Sequence, residues 1–407
     1  MIRFKIVLLL LLLFIAPAAT AQMPDRYVVL VIIDGARYSE TLGNTSGGFT
    51  PVIRQLSSQG AVIDSFFNNG WTVTNRGVPA IWSGSWSTPK DTFYNGFQTQ
   101  YATVPTLWEY FRKEHQQDST QAQYIMKYLS SPWLQSFRPG YGPAFWPWYI
   151  LSGSNDLQVW QKARTQLLTW HPRLSVIYLA DVDHYGHLGV WEDYTRAISV
   201  ADSIVGMIWS FVQSDPVFKD KTTLLVTNDH GRHSEGVSTG FVGHGDGCTG
   251  CRRIMLFGIG AGIKKGVHTS VKRYIPDIVP TIGTLLNFPT PVVSGVSMSE
   301  ILDPSTGIAG SELPSDFVLE QNYPNPFSAG AYGNPTTLVR FALPAAGDVV
   351  LSVYNSLGQM VGEPVNGYMP AGEHSVEFNA GGLPSGVYFA RLSVAGRVSM
   401  IKMVLLR

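Results

Sequence analysis

Cysteine is nearly missing from this 407-residue chain: there are two, Cys248 and Cys251, in a single Cys-Thr-Gly-Cys turn. So few exclude a disulfide-built scaffold, and stability has to come from an apolar core. The pair itself reads as a small loop-stapling disulfide; a structural zinc clip would need two further Cys or His ligands nearby. Charge is sparse as well. Only 14% of residues are Asp, Glu, Lys or Arg, and 29 basic residues balance 29 acidic ones. No Lys/Arg-rich run occurs, so the electrostatic footprint of a nucleic-acid binder is lacking and no nucleic-acid-binding surface is expected. Beyond the N-terminal region no segment reads as long and apolar enough to cross a bilayer, and no transmembrane helix is expected in the mature chain. The 45% hydrophobic and 12% aromatic content speaks against disorder.

The N-terminus carries Arg3 and Lys5, then an apolar run from Ile6 to Ile15, then Ala19-Thr20-Ala21. A basic start, a short apolar stretch and a small-x-small cleavage site read as a secretory signal over residues 1–21. The mature protein is therefore expected to be secreted or cell-surface. Its length suits one large and one small domain, placed at 25–303 and 316–407 with a Ser/Gly/Pro-bearing linker at 304–315.

In the large domain, three apolar runs rich in β-branched residues read as buried parallel strands: Tyr27 to Ile33, Ser175 to Ala180 and Thr222 to Val226. Each ends in acidic residues or histidines. Asp34-Gly35 follows the first, Asp181-Val-Asp-His-Tyr-Gly-His187 the second, and Asn228-Asp-His-Gly-Arg-His233 the third. In an open parallel sheet, ligands bind at the carboxyl ends of the strands. Asp183 and His187 lie four apart around Gly186, a spacing that brings carboxylate and imidazole to one ion on a tight turn. Gly231 permits a turn that aims Asp229 and His230 the same way, and His244 sits in the glycine-rich loop Gly243-His-Gly-Asp-Gly247. These six residues supply three ligands to each of two divalent ions. Thr74, in Thr72-Val-Thr-Asn-Arg-Gly77 ahead of a short apolar helix, offers a hydroxyl where a helix N-terminus stabilises negative charge, with Thr72 as the alternative.

Helices are predicted at Pro51–Gln59, Val104–His115, Asp156–Trp170, from after Val190 to about Gln213, and at Asp277–Leu286, with another strand at Arg253–Gly260. The Pro- and aromatic-rich segment Ser131 to Trp148 reads as a stiff loop, either packed on the domain or walling the substrate site.

The ordered set Asp34-Gly35, Thr74-Asn75, Asp183-x-x-Gly186-His187, Asp229-His230-Gly231 and Gly243-His244-Gly245 resembles the alkaline phosphatase superfamily, in particular its nucleotide pyrophosphatase/phosphodiesterase-like and sulfatase-like branch. That resemblance implies a doubly wound, mostly parallel α/β sheet and two metal ions, most often Zn2+. One ion would be held by Asp183, His187 and His244, the other by Asp34, Asp229 and His230. Thr74 would be the nucleophile at the second ion, with Asn75 donating to a non-bridging oxygen. Arg37, Arg76 and Arg232 are candidate clamps on the substrate. The implied reaction is hydrolysis of a small-molecule phosphate ester, monoester or diester. Members of this branch often carry a Pro-His pair after the nucleophile, where this chain has Arg76 and Val78. The sulfatase signature, Cys or Ser followed by x-Pro-x-Arg, is not present. A sulfate-ester or phosphonate hydrolase on the same metals, and a non-catalytic surface binding protein, are the alternatives.

After the linker the pattern changes to short alternating strands at Leu338–Leu343, Asp348–Tyr354, Glu373–Phe378 and Gly386–Leu392, which read as a small all-β sandwich. Phe317 to Phe327 (with Tyr-Pro-Asn-Pro-Phe), Val353-Tyr-Asn-Ser-Leu-Gly-Gln359 and Leu383-Pro-Ser-Gly-Val-Tyr388 resemble the C-terminal sorting domain of the type IX secretion system. This implies the type IX machinery as a partner, with export through the periplasm and across the outer membrane.

Overall fold

A computed structural model describes residues 23–304 and 316–406, apart from 45, 47, 130–132, 329–334, 346 and 370–371. The expected signal segment and, apart from Pro304, the expected linker lie outside the described residues. Eight strands make the main sheet: β1 (Tyr27–Ile33), β2 (Ala61–Ile63), β3 (Ala122–Met126), β4 (Trp148–Leu151), β5 (Leu174–Leu179), β6 (Thr222–Thr227), β7 (Leu256–Gly260) and β8 (Val267–Thr269). Their order is β8-β2-β7-β6-β1-β5-β3-β4, and only β7 runs against the rest.

The unbroken apolar run of β1 has a direct packing cause. Val28, Leu30 and Ile32 enter one core, while Tyr27, Val29, Val31 and Ile33 enter another on the opposite face. A strand covered on both sides cannot alternate with polar residues. The covers are eight helices: α1 (Pro51–Gln59), α2 (Thr74–Ser83), α3 (Leu107–His115), α4 (Asp156–Trp170), α5 (Asp181–Leu188), α6 (Trp191–Ser214), α7 (Thr249–Arg252) and α8 (Ile278–Leu286). Of these, α2, α3 and α8 pack into the first core and α1, α4 and α6 into the second. The result is the expected doubly wound, mostly parallel α/β sheet, with Asp34, Asp181 and Asn228 following the carboxyl ends of three adjacent parallel strands.

Two expectations shift. Helix α3 begins at Leu107, not Val104, because Pro105 disfavours helical backbone at the residue before it and the Thr106 N–H donates to Glu109 Oε2 at 2.9 Å. Helix α6, contrary to the expectation that nothing after the signal has membrane-crossing length and hydropathy, meets both criteria, with a mean hydropathy of 1.3 over its best window. It lies in the core: Tyr194, Ile198, Ala201, Ile204, Val205, Ile208 and Val212 are all buried against the sheet.

Beyond residue 315 every regular element among the described residues is a β-strand. One three-stranded sheet joins Val318–Leu319, β9 (Thr336–Leu343) and a strand at Gly372–Asn379; one five-stranded sheet joins Phe327–Ser328, Arg397–Leu406, Gly386–Val394, Gly347–Asn355 and Met360–Met369. Pairing is antiparallel except where Phe327–Ser328 meets Arg397–Leu406. Val339, Phe341 and Leu343 share one core with Leu351, Val353, Ala390, Leu392 and Met403. The sequence pattern does not announce Met360–Met369, which contains Gly362, Pro364 and Gly367. That strand is at a sheet edge, and its register slips between the partners Gly362 and Val365, around the one residue with no N–H to donate.

Helix α1 is fixed by a residue from α6. The Asp202 carboxylate accepts from the backbone N–H groups of Val52 and Ile53, at 3.1 and 2.7 Å, which α1's first turn cannot satisfy internally. Asp202→Ala should lower stability by about 1–2 kcal/mol, read as a shifted denaturation midpoint with metal content unchanged. An unshifted midpoint would remove this contact from the account of how α1 and α6 are held.

Candidate metal centre at the carboxyl edge of the sheet

Strand register does the first work of assembly. Ile33 lies beside Leu179, Ile32 beside Thr227, and the Asp34 N–H donates to Leu179 O at 2.9 Å. Asp34 therefore projects from the same edge as α5 and as Asn228-Asp229-His230. Asp183 and His187 are not on a tight turn, as the spacing predicts, but one helical turn apart on α5, which brings their side chains to one face. Gly186 serves a different purpose: a Cβ there would sit 2.4 Å from the Arg232 guanidinium carbon. Gly231, too, is required for close approach, since a Cβ would meet Gly250 O at 2.2 Å.

One group comprises Asp34, Asp229 and His230, all buried, with ligand-capable atoms within 4.8 Å of one another. His230 Nε2 is 3.4 Å from both Asp34 Oδ1 and Asp229 Oδ2. Thr74 is the first residue of α2, not its cap, which is Val73. Its Oγ1 lies 3.1 Å from His230 Nε2 and 3.3 Å from Asp34 Oδ1. The second group surrounds Asp183: His187 Nε2 is 3.3 Å from Oδ2, His244 Nε2 is 3.4 Å from Oδ1, and the two imidazole nitrogens are 3.0 Å apart. His230 stacks on His244 with ring centroids 3.9 Å apart, so the groups are contiguous. The structure thus brings together Asp34, Thr74, Asp183, His187, Asp229, His230 and His244.

The donor set fits cations on chemical grounds. His230 Nδ1 faces Gly231 O at 2.9 Å and His244 Nδ1 faces Thr72 O at 3.0 Å. A carbonyl only accepts, so in the neutral rings the proton is on Nδ1 and each Nε2 presents a bare lone pair. His230 Nε2 lies 3.4 Å from oxygens of Asp34 and Asp229, and His244 Nε2 lies 3.4 Å from an Asp183 oxygen, so only a second ring proton or a cation can bridge each pair. Asp229 Oδ2 is buried with no hydrogen-bond partner. Acceptors crowded upon acceptors require positive charge among them, and imidazole with carboxylate suits a borderline divalent ion such as zinc.

Titration follows the same crowding. Burial, then the charges of Asp229 and Asp183, push Asp34 well above the carboxylate range. Burial lifts Asp229 to about 7 and takes His230 down to about 4. Asp183 goes the other way: burial raises it, but hydrogen bonds to His187 and His244 and the charge of Arg232 hold it well below the usual range. His244 is raised, its bond to Asp183 outweighing burial.

The remaining candidates separate clearly. Arg232 is fully buried and donates to Gly35 O, Phe241 O, Val242 O and Asp183. Arg37 is buried and pairs with Glu40, with a further bond to His233 O. Both guanidinium groups, expected from the sequence to clamp substrate, are engaged by the protein. Arg76 is half-buried and bonds to Asn75 O at 3.1 Å, and Asn75 is exposed. Thr72 Oγ1 accepts from the Gly247 N–H at 3.1 Å, so this alternative hydroxyl fastens the His244 loop. The aromatic segment packs on the domain: Trp133, Leu134 and Trp146 join the core, and Glu109 accepts from Ser136 and Gly142. Cys248 and Cys251 are not bonded to each other; their sulfurs lie 3.1 Å apart.

Sequence reasoning misses three supports. Tyr178, inside β5, donates its hydroxyl to Asp34 Oδ2. Asn68 donates to Asp229 O at 2.8 Å, and Asn228 donates to Ala36 O and His230 O, both at 2.9 Å. Nothing in a strand's apolar pattern marks Tyr178, but Asn228 adjoins the Asp-His pair and could have been read from that position.

Residues 148–246, which span β4 to the His244 loop, match the family model of the metalloenzyme superfamily. No curated protein matches the chain. Among solved structures, the fold is similar to murine ectonucleotide pyrophosphatase/phosphodiesterase 5, at 13% identity and TM-score 0.50 over 68% of this chain and 100% of that one. It is similar also to a 2-O GAG sulfatase, at 11% identity and TM-score 0.51 over 87% and 85% of the two chains. A protein of glycosaminoglycan metabolism from Bacteroides thetaiotaomicron aligns at 12% identity and TM-score 0.50 over 93% and 89%.

If these carboxyls carry protons until a cation displaces them, metal binding to chelator-treated protein should release protons and tighten as pH rises from about 5 to 8. Calorimetry in buffers of different ionisation enthalpy reads the proton count, and Asp229→Ala should lower both that count and the metal content. A pH-independent affinity, or an unchanged metal content in the variant, would overturn this description of the site.

Proposed function

We propose that this chain is an exported metal-dependent hydrolase of small-molecule phosphate esters, with Thr74 as nucleophile. The observation that carries the reading is the position of Thr74 Oγ1: at the first residue of a helix, within 3.3 Å of a buried carboxylate and a bare imidazole nitrogen. The Asp34/Asp229/His230 group would hold one divalent ion and the Asp183/His187/His244 group another, with zinc favoured by the ligand types. When bound, the ions supply the positive charge that a threonine hydroxyl needs to ionise near neutral pH and that an ester's oxygens need in the transition state.

The chain's own residues then have definite roles. Thr74 Oγ1 forms the bond to phosphorus as the bond from phosphorus to the leaving oxygen breaks; water afterwards cleaves the Thr74–phosphate ester and restores the hydroxyl. The start of α2 carries the positive end of the helix dipole toward the phosphoryl oxygens, and Asn75, exposed at its second position, can donate to one of them. Arg232 positions Asp183, and Tyr178 positions Asp34. The lack of a Cys/Ser-x-Pro-x-Arg sequence weighs against sulfate ester hydrolysis through formylglycine.

Export is part of the same proposal. The signal-like N-terminus and the sorting-domain resemblance at 317–388 support passage to the periplasm and then across the outer membrane by the type IX machinery, to a secreted or cell-surface location. A separate β core in that region is consistent with a domain that catalysis does not need. Ending the chain at residue 315 should leave ester hydrolysis near normal while blocking export; truncated protein in the medium, or folded but inactive, would overturn the division of labour.

Thr74→Ala removes the attacking oxygen and keeps every candidate ligand. It should leave a folded, metal-loaded protein whose turnover falls by several orders of magnitude, on the order of 10⁴-fold or more, as when other nucleophiles are deleted. Acid quenching during turnover of an aryl phosphate should trap phosphate on the Thr74 peptide. Activity surviving in Thr74→Ala but lost in Thr72→Ala would move the nucleophile by two residues. Activity surviving in both would replace covalent catalysis by direct attack of water. Comparing aryl phosphate, aryl phosphodiester and aryl sulfate then fixes the ester class.

A further inference from the structure

We infer that the chain has a further metal site, built from His233, Asp246, Cys248 and Cys251, in which a zinc ion clamps together the two stretches that carry His230 and His244. The four side chains each present a ligand-capable atom, and these atoms lie within 4.8 Å of one another. They come from two places in the sequence. His233 ends the stretch that begins with Asp229 and His230; Asp246, Cys248 and Cys251 belong to the loop and short helix after His244.

The signal that points to a ligand is His233. It is 6% exposed, and its Nε2 is buried without a hydrogen-bond partner. Asp246 Oδ2 approaches that nitrogen to 3.3 Å without forming a hydrogen bond. On the far side of the ring, Nδ1 is held 3.0 Å from Thr239 Oγ1. That hydroxyl can accept a proton carried on Nδ1, and in that tautomer the bare Nε2 lies within reach of the cysteine sulfurs, the arrangement in which histidines bind metal. Asp246 is fixed in the same manner: its Oδ1 accepts from the Cys248 N–H at 2.9 Å, which leaves Oδ2 to coordinate. Cys248 caps α7 and Cys251 is that helix's third residue, so both sulfurs lie on one side of the turn, 3.1 Å apart.

A Cys-x2-Cys pair with one imidazole and one carboxylate makes four ligands, the number for a closed, structural zinc site. Loading requires no oxidant: two thiol protons leave for solvent and two thiolates bind the cation. The sequence alone favours a disulfide because a zinc clip is expected to need two further Cys or His ligands; Asp246 is already two residues from Cys248, and folding brings in His233. The backbone around the site shows what the ion would fasten. The Gly231 N–H donates to Cys251 O at 2.8 Å and the His233 N–H to Gly243 O at 3.0 Å, while a Cβ at Gly250 would fall 2.5 Å from Arg232 O. The two ligand-bearing stretches are in contact at this point.

Elemental analysis of the full exported protein, beside its Cys248→Ser/Cys251→Ser double variant, tests this. The wild type should carry one more zinc per chain than the variant. After cobalt replacement it should show the near-ultraviolet thiolate-to-cobalt band, which the variant should lack. Should the variant fail to fold, the wild-type cobalt spectrum and His233→Ala decide: a wild type without the thiolate band sinks the proposal, and so does an undiminished band in His233→Ala. A wild-type mass two hydrogens below the reduced chain, with metal content equal in both proteins, would mean a disulfide in its place. Asp229→Ala separates this site from the catalytic reading, since it should keep the thiolate band even where hydrolysis is lost or was never present.

Discussion

The structure is organised around a concentration of electron pairs with too few donors: Tyr178, Thr74 and Arg232 reach Asp34 and Asp183, while Asp229 Oδ2 is buried with none. Three carboxylates and three imidazoles converge at one edge of the sheet, and Asp229 and His230 are wholly buried there. An uncompensated buried charge costs about 3–5 kcal/mol, so these groups can be assembled only by a scaffold that is rigid around them. Three adjacent parallel strands, each covered on both faces, supply that rigidity. Their register, not the intrinsic preference of any one residue, sets Asp34 beside the ends of the other two strands. The surrounding exceptions then make sense together: a tyrosine hydroxyl inside a buried strand, a fully buried arginine against Asp183, and glycines where a methyl group would strike the site. A Cβ at Gly77 would be 2.9 Å from Asp229 O, and one at Gly35, whose φ is +66°, would be 2.6 Å from Asp183 Oδ1.

Much of this was legible in the sequence because doubly covered strands leave a strong mark. The runs at Tyr27, Leu174 and Thr222 are apolar without alternation, and the residues directly after each run must lie on the ligand-binding edge. The order of the Asp, His and Thr positions did the rest. The sequence could not show how Gly186 is used. Asp183 and His187 at a spacing of four suggest a tight turn but lie on a helix, and the glycine between them leaves room for Arg232, 46 positions further along the chain, lying across it. Likewise Arg37 and Arg232 had the charge expected of substrate clamps, but a guanidinium's availability depends on which carbonyls surround it. For Arg232 that is a property of packing with no local trace; for Arg37 only Glu40, three residues on, is local.

The two threonines show how finely the start of a helix divides tasks. Thr72 and Thr74 are separated by one valine in extended conformation, so their side chains are not equivalent. Thr72 is buried, and both its hydroxyl and its carbonyl hold the His244 loop. Thr74 enters the helix and turns its oxygen toward His230 and Asp34. One residue thus fixes a candidate ligand and the other provides the candidate nucleophile, and the single extended valine between them sets their separation.

Charge accounting makes cations the necessary complement of this edge. A phosphate ester, the substrate class we propose, would bring further negative charge to a place already crowded with carboxylates. The buried arginines that could have met it, Arg37 and Arg232, are bonded to protein carbonyls and carboxylates. The positive end of α2 is a partial charge of roughly half a unit, too little to offset Asp34, Asp183 and Asp229 together. Burial and the neighbouring carboxylates push Asp34 and Asp229 upward, so protonation offsets the charge in part, but a protonated carboxyl cannot help ionise a threonine. Ions of charge two or more, seated between the groups, would neutralise the carboxylates and, in the proposed reaction, would activate the hydroxyl at once. The arrangement that makes the empty-handed acceptors so unfavourable is therefore the one that selects for metal, and it places the strongest demand for positive charge within 3.3 Å of Thr74 Oγ1.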